Sequence, residues 1–224
     1  KHMFWRRKKR NHWSFWLAVI IVLGLLTWLI IQLATPPVEN DNYNTDILTI
    51  QNNDWIKGNP EAKVVLMEYS DFQCPYCQIY GKLTSQLAEE FSEDIAVVFR
   101  HFPLKTIHPN AEIASQAAEA AGLQNKFWEM GDLIFNNQNL WINHQIPEEI
   151  FTNFAGLLEL DVERFKTDIN SSPVKDKINE QIKRSTALDI QGTPTIFING
   201  QKINNPSSYD EFRNIIQTFI QDNQ

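Results

Sequence analysis

Val64-Val65-Leu66-Met67-Glu68-Tyr69-Ser70-Asp71-Phe72-Gln73-Cys74-Pro75-Tyr76-Cys77 runs an apolar strand into the only two cysteines of a 224-residue chain. Two residues between cysteines let the sulfurs meet within one helical turn, so a disulfide forms and breaks there with little backbone movement. Cys74 falls at the N-cap of a helix and Pro75 at its first position, where a fixed φ suits the turn and the missing N–H costs nothing. The partial positive charge and unpaired N–H groups of a helix N-terminus stabilise an anion. This makes Cys74 the attacking thiolate and Cys77, one turn further in, the resolving thiol. The pair also reads as half a zinc site or as a purely structural bridge. Zinc wants four ligands, and the chain has no second cysteine pair and no His-x-His cluster. A bridge that closes almost no loop gains little from chain entropy. The expected chemistry is dithiol–disulfide exchange, with no metal and no organic cofactor.

Upstream of this stretch, Phe15 to Leu33 carries no charge, and its roughly 19 residues make about 28 Å of helix, enough to cross a bilayer. Trp13, Trp16 and Trp28 fall near its ends and Arg6-Arg7-Lys8-Lys9-Arg10 precedes it, a pattern that holds the N-terminus in the cytoplasm. The expected order is a cytoplasmic basic segment over 1–14, a transmembrane anchor over 15–33, a Pro-, Asn- and Asp-rich linker over 34–46, and an extracytoplasmic body. A cleaved signal peptide is the alternative. Against it, the run exceeds a signal core, and Ala34 with Gln32 two places earlier is a poor cleavage match. Of 20 basic and 27 acidic side chains, six of the basic ones lie in the first ten residues, so the remainder is strongly acidic. That balance argues against nucleic acid as a ligand. Two cysteines confined to one motif fit an oxidising compartment.

Downstream, hydrophobic periodicity sets out the body. Ile47 to Ile50 reads as a short edge strand, Gly58-Asn59-Pro60 as a turn, and Val64 to Tyr69 as a buried central strand. In the helix that starts at Cys74, Ile79, Leu83, Leu87 and Phe91 recur every four residues and should face a sheet. Ile95 to Phe102 is the next strand, and the strand–helix–strand spacing makes the two strands parallel. From His108 to Leu188 only helices are expected. The first carries Ala111, Ala114, Ala117, Ala118 and Ala121 and stops at Gly122; the others cover Lys126–Asn136, Pro147–Leu158, Asp161–Ile169 and Pro173–Leu188. Thr195–Ile198 and Gln201–Ile203 then form a hairpin through Asn199-Gly200. Ser208-x-x-Glu211 is a capping box for a closing helix with Phe212, Ile215, Ile216, Phe219 and Ile220 on one face. The body thus divides into 47–107 with the CxxC, a helical insertion over 108–188, and 189–224.

From about Ile47 to the C-terminus this order resembles the DsbA-like branch of the thioredoxin superfamily. The matching segments are Gly58–Ala62, Ser70–Cys77, Phe99–Leu104, Phe127–Met130 and Gly192–Thr195. The resemblance implies an α/β, thioredoxin-like fold with an inserted all-helical subdomain, here preceded by one N-terminal transmembrane helix. It implies a cis proline at Pro194, after Thr193, opposite the CxxC, where the Thr193 backbone would pair with an extended substrate peptide. A proline that only turns the chain into the hairpin is the other reading. Glu68, six residues before Cys74, matches the family's buried acid beneath the active site, which implies proton transfer to Cys77. A solvated glutamate at a strand edge is its alternative. Pro75 and Tyr76 form the dipeptide between the cysteines, and Tyr76 sits at the family-variable position that tunes the potential. Without the positive charge of a histidine there, a potential in the upper half of the range from about −270 to about −120 mV is expected. His101 and His108 are given no catalytic role, and Phe72 and Trp128 read as core or groove lining.

The activity implied is donation of the Cys74–Cys77 disulfide to cysteine pairs of newly exported proteins, by a protein anchored once in the cell membrane. Reoxidation is then the work of a quinone-reducing membrane partner of the DsbB or vitamin K epoxide reductase kind. A reductase or isomerase on the same fold, and a binding module without catalysis, are the alternatives.

Overall fold

The computed structural model describes residues 12–34 and 45–223. Most of the expected basic segment (1–14) and of the linker (34–46) lies outside the described residues. The chain divides into two units. The first holds α1 (His12–Ala34), with no acidic residue in its first turn and no basic one in its last, and Trp13, Ile20, Ile21, Leu25 and Trp28 are all exposed. Among the described residues no helix is long and apolar enough to cross a membrane. The expected anchor includes Phe15, Ala18 and 29–33, whose side chains fall outside that set.

The second unit is built on a five-stranded sheet in the order β1-β3-β2-β4-β5, with β1 at Trp55–Gly58, β2 at Val64–Ser70, β3 at Ile95–His101, β4 at Thr195–Ile198 and β5 at Gln201–Ile203. β2 and β3 are parallel and the other pairs antiparallel. β2 and β3 are buried along most of their length, which is why both read as continuous apolar runs. The two-residue period sorts their side chains by face. Leu66, Val97, Ile196 and Ile198 pack under α2 (Pro75–Glu90) and α9 (Tyr209–Asp222) through Leu87, Ala88, Phe212 and Ile216. Met67, Tyr69, Val98 and Phe197 meet Leu48, Leu188 and Ile190 on the opposite face.

Six helices separate β3 from β4: α3 (Ala111–Gly122), α4 (Phe127–Asn136), α5 (Gln138–Trp141), α6 (Pro147–Leu157), α7 (Val162–Asp168) and α8 (Ser172–Ala187). Their core of alanines and aromatic rings is continuous with Phe72, Cys74 and Cys77. The cysteine motif therefore lies where the helical layer meets the sheet.

Four local expectations change. Ile47 to Ile50 is no strand, since Thr45–Leu48 is a 3-10 turn and the edge strand is β1, paired with β3. The reason is Arg100, fully buried, whose guanidinium donates to Ile47 O at 2.5 Å and Thr49 O at 2.8 Å and pairs with Asp54 at 2.7 Å. Those carbonyls have a cation in place of a neighbouring strand. In α2 the buried side is Cys77, Tyr80, Thr84, Leu87 and Ala88, while Ile79 is 53% exposed; a row spaced by four drifts off a face that repeats every 3.6 residues. Gly122 is set by close approach rather than by a left-handed cap, because a Cβ there would lie 2.3 Å from the Trp55 ring. The left-handed residue is Asn125, at φ 62°. Finally, α5 is an addition to the expected helices, being four residues long and too short to show a period.

The Arg100–Asp54 pair is fully enclosed. Asp54→Ala leaves an unpaired buried guanidinium and should cost about 3–5 kcal/mol in urea unfolding. A loss below about 1 kcal/mol would show that the pair does not hold the 45–54 segment onto the sheet.

Candidate active site

The site is assembled by one turn and one helix end. Asp71, fully buried, accepts the Gln73 N–H at 2.7 Å on Oδ1 and the Leu104 N–H at 2.8 Å on Oδ2, with His108 Nδ1 also 2.8 Å from Oδ2. It folds the chain back on itself after β2 and ties it to the segment after β3. Cys74 N closes the turn onto Asp71 O at 3.1 Å. Cys74 is the N-cap of α2 in extended conformation, with Pro75 opening the helix, in agreement with the sequence. The helical layer grips the same loop from the other side. Gln138 Nε2, from α5, donates to Phe72 O at 2.7 Å and to Cys74 O at 3.1 Å. Gln73 Oε1 accepts from Asn110 N at 2.8 Å.

The two sulfurs occupy unlike places. Cys77 is fully buried and its Sγ accepts the Asp71 N–H at 3.4 Å. Cys74 is 5% exposed beside Tyr76, which is 66% exposed, and its thiol donates to Thr193 O at 3.5 Å. The Thr193–Pro194 peptide is cis, so the segment before β4 lies directly against the N-terminal cysteine. The Thr193 hydroxyl is buried without a partner among the described residues, which leaves it free to donate once Cys74 becomes anionic.

These contacts split the titrations. Hydrogen bonding from the Cys77 thiol outweighs burial, and with the Cys77 and Tyr76 backbone N–H groups and Thr193 it brings Cys74 down from 9.0 to about 6. Burial, joined by that same hydrogen bond and by the charge of Glu68, pushes Cys77 well up. At neutral pH Cys74 is a thiolate and Cys77 keeps its proton.

Glu68 lies on β2 between Phe99 of β3 and Ile196 of β4 and is 2% exposed, so it is not a solvated edge residue. Its Oε1 accepts from Ser70 Oγ at 2.8 Å and its Oε2 from Thr84 Oγ1 at 3.4 Å. Burial raises its pKa from 4.5 to about 7 against those hydrogen bonds. It also lines a small cavity of about 20 Å³ with Phe72, Thr84, Phe99, Trp128 and Asp132. The sequence assigns no role to Asp71, Ser70 or Gln138. The first two are visible inside the motif, whereas the short α5 carries no signal. Among the described residues no three His, Cys, Asp or Glu side chains cluster as metal ligands would.

Glu68 holds its proton in the folded chain up to about pH 7, whereas an unfolded glutamate loses it near 4.5. Between those values the folded state binds more protons, so Glu68 makes stability fall as pH rises from about 4.5 to 7 and adds no further loss above. Glu68→Gln removes this loss. In urea unfolding of the oxidised protein it should gain of the order of 3 kcal/mol at pH 8 and little at pH 4. No gain at pH 8 would contradict a buried acid of raised pKa.

Comparison with known proteins agrees with the geometry. A family model described as thioredoxin matches residues 51–218. A Na(+)/H(+) antiporter NhaA 1 of Mycolicibacterium gilvum is 34% identical over 155 residues, 68% of this chain and 24% of that protein. One of Salinispora arenicola is 32% identical over 197 residues, 83% and 29% of the two. The chain thus spans about a quarter of the length of these curated relatives. Among solved structures, Wolbachia pipientis alpha-DsbA1 superposes with a TM-score of 0.70 at 22% identity, over 80% of this chain and 96% of that one. Oxidised BdbD from Bacillus subtilis does so with 0.65 at 20% identity, over 74% and 92%. With most of its body inside the family match, the chain belongs to the thioredoxin family, and its fold is that of the DsbA-like thiol-disulfide oxidoreductases.

Proposed function

We propose that this chain is an enzyme of thiol–disulfide exchange that passes its Cys74–Cys77 disulfide to cysteine pairs of exported proteins. The observation that carries the reading is the split of two thiols one turn apart, Cys74 held near 6 and Cys77 pushed well above its usual value. A binding module has no need of that inequality. A substrate thiolate attacks Cys74, the Cys74–Cys77 bond breaks, and Cys77 leaves as a thiolate that takes a proton. A second substrate thiolate then attacks the substrate sulfur of the mixed disulfide, which forms the substrate disulfide and releases Cys74 as a thiolate. The Thr193 backbone beside Cys74 is where an extended peptide would lie.

The membrane tether is part of the same proposal. Its support is the uncharged run from 15 to 33 and the basic run before it, which set the body on the extracytoplasmic side. The similarity to part of proteins named as antiporters fits a domain used beside a membrane, and their transport is not assigned to this chain. Return of the reduced form to the disulfide then falls to a membrane oxidant, for which a quinone-reducing protein of the DsbB or vitamin K epoxide reductase kind fits. Oxidation is preferred to reduction as the direction because a stabilised Cys74 thiolate favours the reduced enzyme.

Expressed in a bacterium, Cys77→Ser should accumulate mixed disulfides with exported cysteine proteins, in the membrane fraction and within reach of protease added outside the membrane. Adducts limited to cytoplasmic proteins would overturn the compartment. No adducts, with Cys74 unreactive toward alkylation at pH 7, would overturn the exchange chemistry.

A further inference from the structure

We propose that His108 is a positioning residue for the step in which Cys77 closes the disulfide: by donating from Nδ1 to Asp71 it holds the peptide group whose N–H meets the Cys77 sulfur. The inference rests on the exchange reading above and gives a part to a residue on which that reading is silent.

Both cysteines hang on the main chain of Asp71. Its carbonyl accepts the Cys74 N–H at 3.1 Å, and its own N–H donates to Cys77 Sγ at 3.4 Å. The side chain anchors that peptide pair. Its Oδ1 accepts the Gln73 N–H at 2.7 Å and its Oδ2 the Leu104 N–H at 2.8 Å, and His108 Nδ1 lies 2.8 Å from the same Oδ2. With N–H donors on both carboxyl oxygens, the proton of the third contact belongs to the ring, so Nδ1–H donates. The Asp71 side chain is fully enclosed. Its donors therefore have to come from the protein, and the ring is one of three.

The ring is itself held. His108 N donates to Leu104 O at 2.9 Å and His108 O accepts from Ala111 N at 3.1 Å, at the entry to α3. Two residues on, Asn110 N donates to Gln73 Oε1 at 2.8 Å, and Asn110 Nδ2 donates to the carbonyls of Trp141, Ile142 and His144 at 3.1, 3.2 and 3.1 Å. The segment 108–110 thus clasps 71–73 at two points, and one of them is tied on to the end of α5.

To resolve a mixed disulfide, Cys77 attacks as a thiolate. A hydrogen bond to an ionised group is stronger than one to a neutral group, so the Asp71 N–H favours the sulfur anion as it forms and fixes its place one turn from its target. The Cys77 thiolate attacks Cys74 Sγ, the Cys74–Cys77 bond forms, and the bond from Cys74 to the partner sulfur breaks. The partner leaves with the electron pair as a thiolate, and the proton it takes up balances the one that Cys77 gave up. Without the ring N–H, Oδ2 keeps a single donor and the carboxylate is free to turn, and the peptide above it loses its aim. A displacement of about 1 Å at a reacting group costs up to roughly a hundredfold in rate.

The test mixes the reduced full-length protein with excess oxidised glutathione by stopped flow. Attack by Cys74 gives a phase that depends on glutathione concentration, and closure by Cys77 gives one that does not. In His108→Ala the ratio of the second rate to the first should fall by roughly ten- to a hundredfold. His108→Asn, which keeps an N–H donor at the δ position, should recover most of it. A residue that only fastens the segment after β3 would lower urea stability in His108→Ala and leave the ratio alone. Nitrogen NMR of the unaltered protein, labelled at histidine, should find the proton on Nδ1, a measurement that stands even if His108→Ala does not fold. An unchanged ratio in His108→Ala, a loss in His108→Asn as large as in His108→Ala, or a ring protonated at Nε2 alone would each overturn the positioning role while leaving the exchange reading intact. If Cys77→Ser instead showed the same second phase as the unaltered protein, the exchange reading would fall and the positioning role with it.

Discussion

Two sulfurs one helical turn apart share one proton, and its unequal division is the constraint on which the rest of the site depends. The hydrogen bond from Cys77 lowers Cys74 and raises Cys77 at once, so a single contact makes one thiol nucleophilic and the other a protonated reserve. The end of α2 adds backbone N–H groups on the side of Cys74, and burial on the side of Cys77 works in the same sense. Neither effect survives if the loop moves. This explains why so many hydrogen bonds converge on Asp71–Cys74, from within the loop, from the segment after β3 and from α5.

The helical insertion has a definite part in this. Without it the strand-to-helix turn would present Phe72 O and Cys74 O to solvent. With it, Gln138 donates to both carbonyls and the Phe135 ring packs at a tilt against Phe72, which stacks on Phe99 of β3. The insertion also encloses the space beside Glu68, where a carboxyl is kept protonated toward neutral pH by burial. A buried acid with a pKa near the working pH is suited to exchange protons in either direction. The fold thus gathers the Cys74 thiol, the Cys77 thiol and the Glu68 carboxyl, all buried, where β2 meets α2.

Much of this is legible in the amino-acid sequence. Val64–Tyr69 and Ile95–Phe102 can be placed because strands buried on both faces are continuously apolar, and Asn199-Gly200 because a two-residue hairpin demands φ above zero, met at 48° and 79°. Cys74 at the helix start follows from Pro75. The edge strand expected at Ile47–Ile50 shows the limit, since its apolar residues do pack, but Arg100, 53 positions on from Ile47, decides what its carbonyls bond to. Long-range polar contacts leave no period. Gln138 is hidden for the same reason, and Ser70 because a serine in a motif has many ordinary uses. The histidine-free dipeptide points to a potential in the upper half of the range between reducing and strongly oxidising couples. Cys74 near 6, below the ordinary thiol value, agrees in sign with a couple on the oxidising side of thioredoxin.

The Cys74 thiolate sets the redox balance, and its pKa fixes the size of the effect. Each pKa unit is worth about 1.4 kcal/mol, or roughly 30 mV in a two-electron couple. A thiol held below that of thioredoxin therefore places the couple on the oxidising side of about −270 mV. Equilibration with glutathione at pH 7, read by the fraction of free thiols, measures this directly. A potential above about −270 mV is expected, with the reduced form the more stable in unfolding. A potential at or below about −270 mV, with the oxidised form the more stable, would mean that the Cys74 thiolate does not govern the couple.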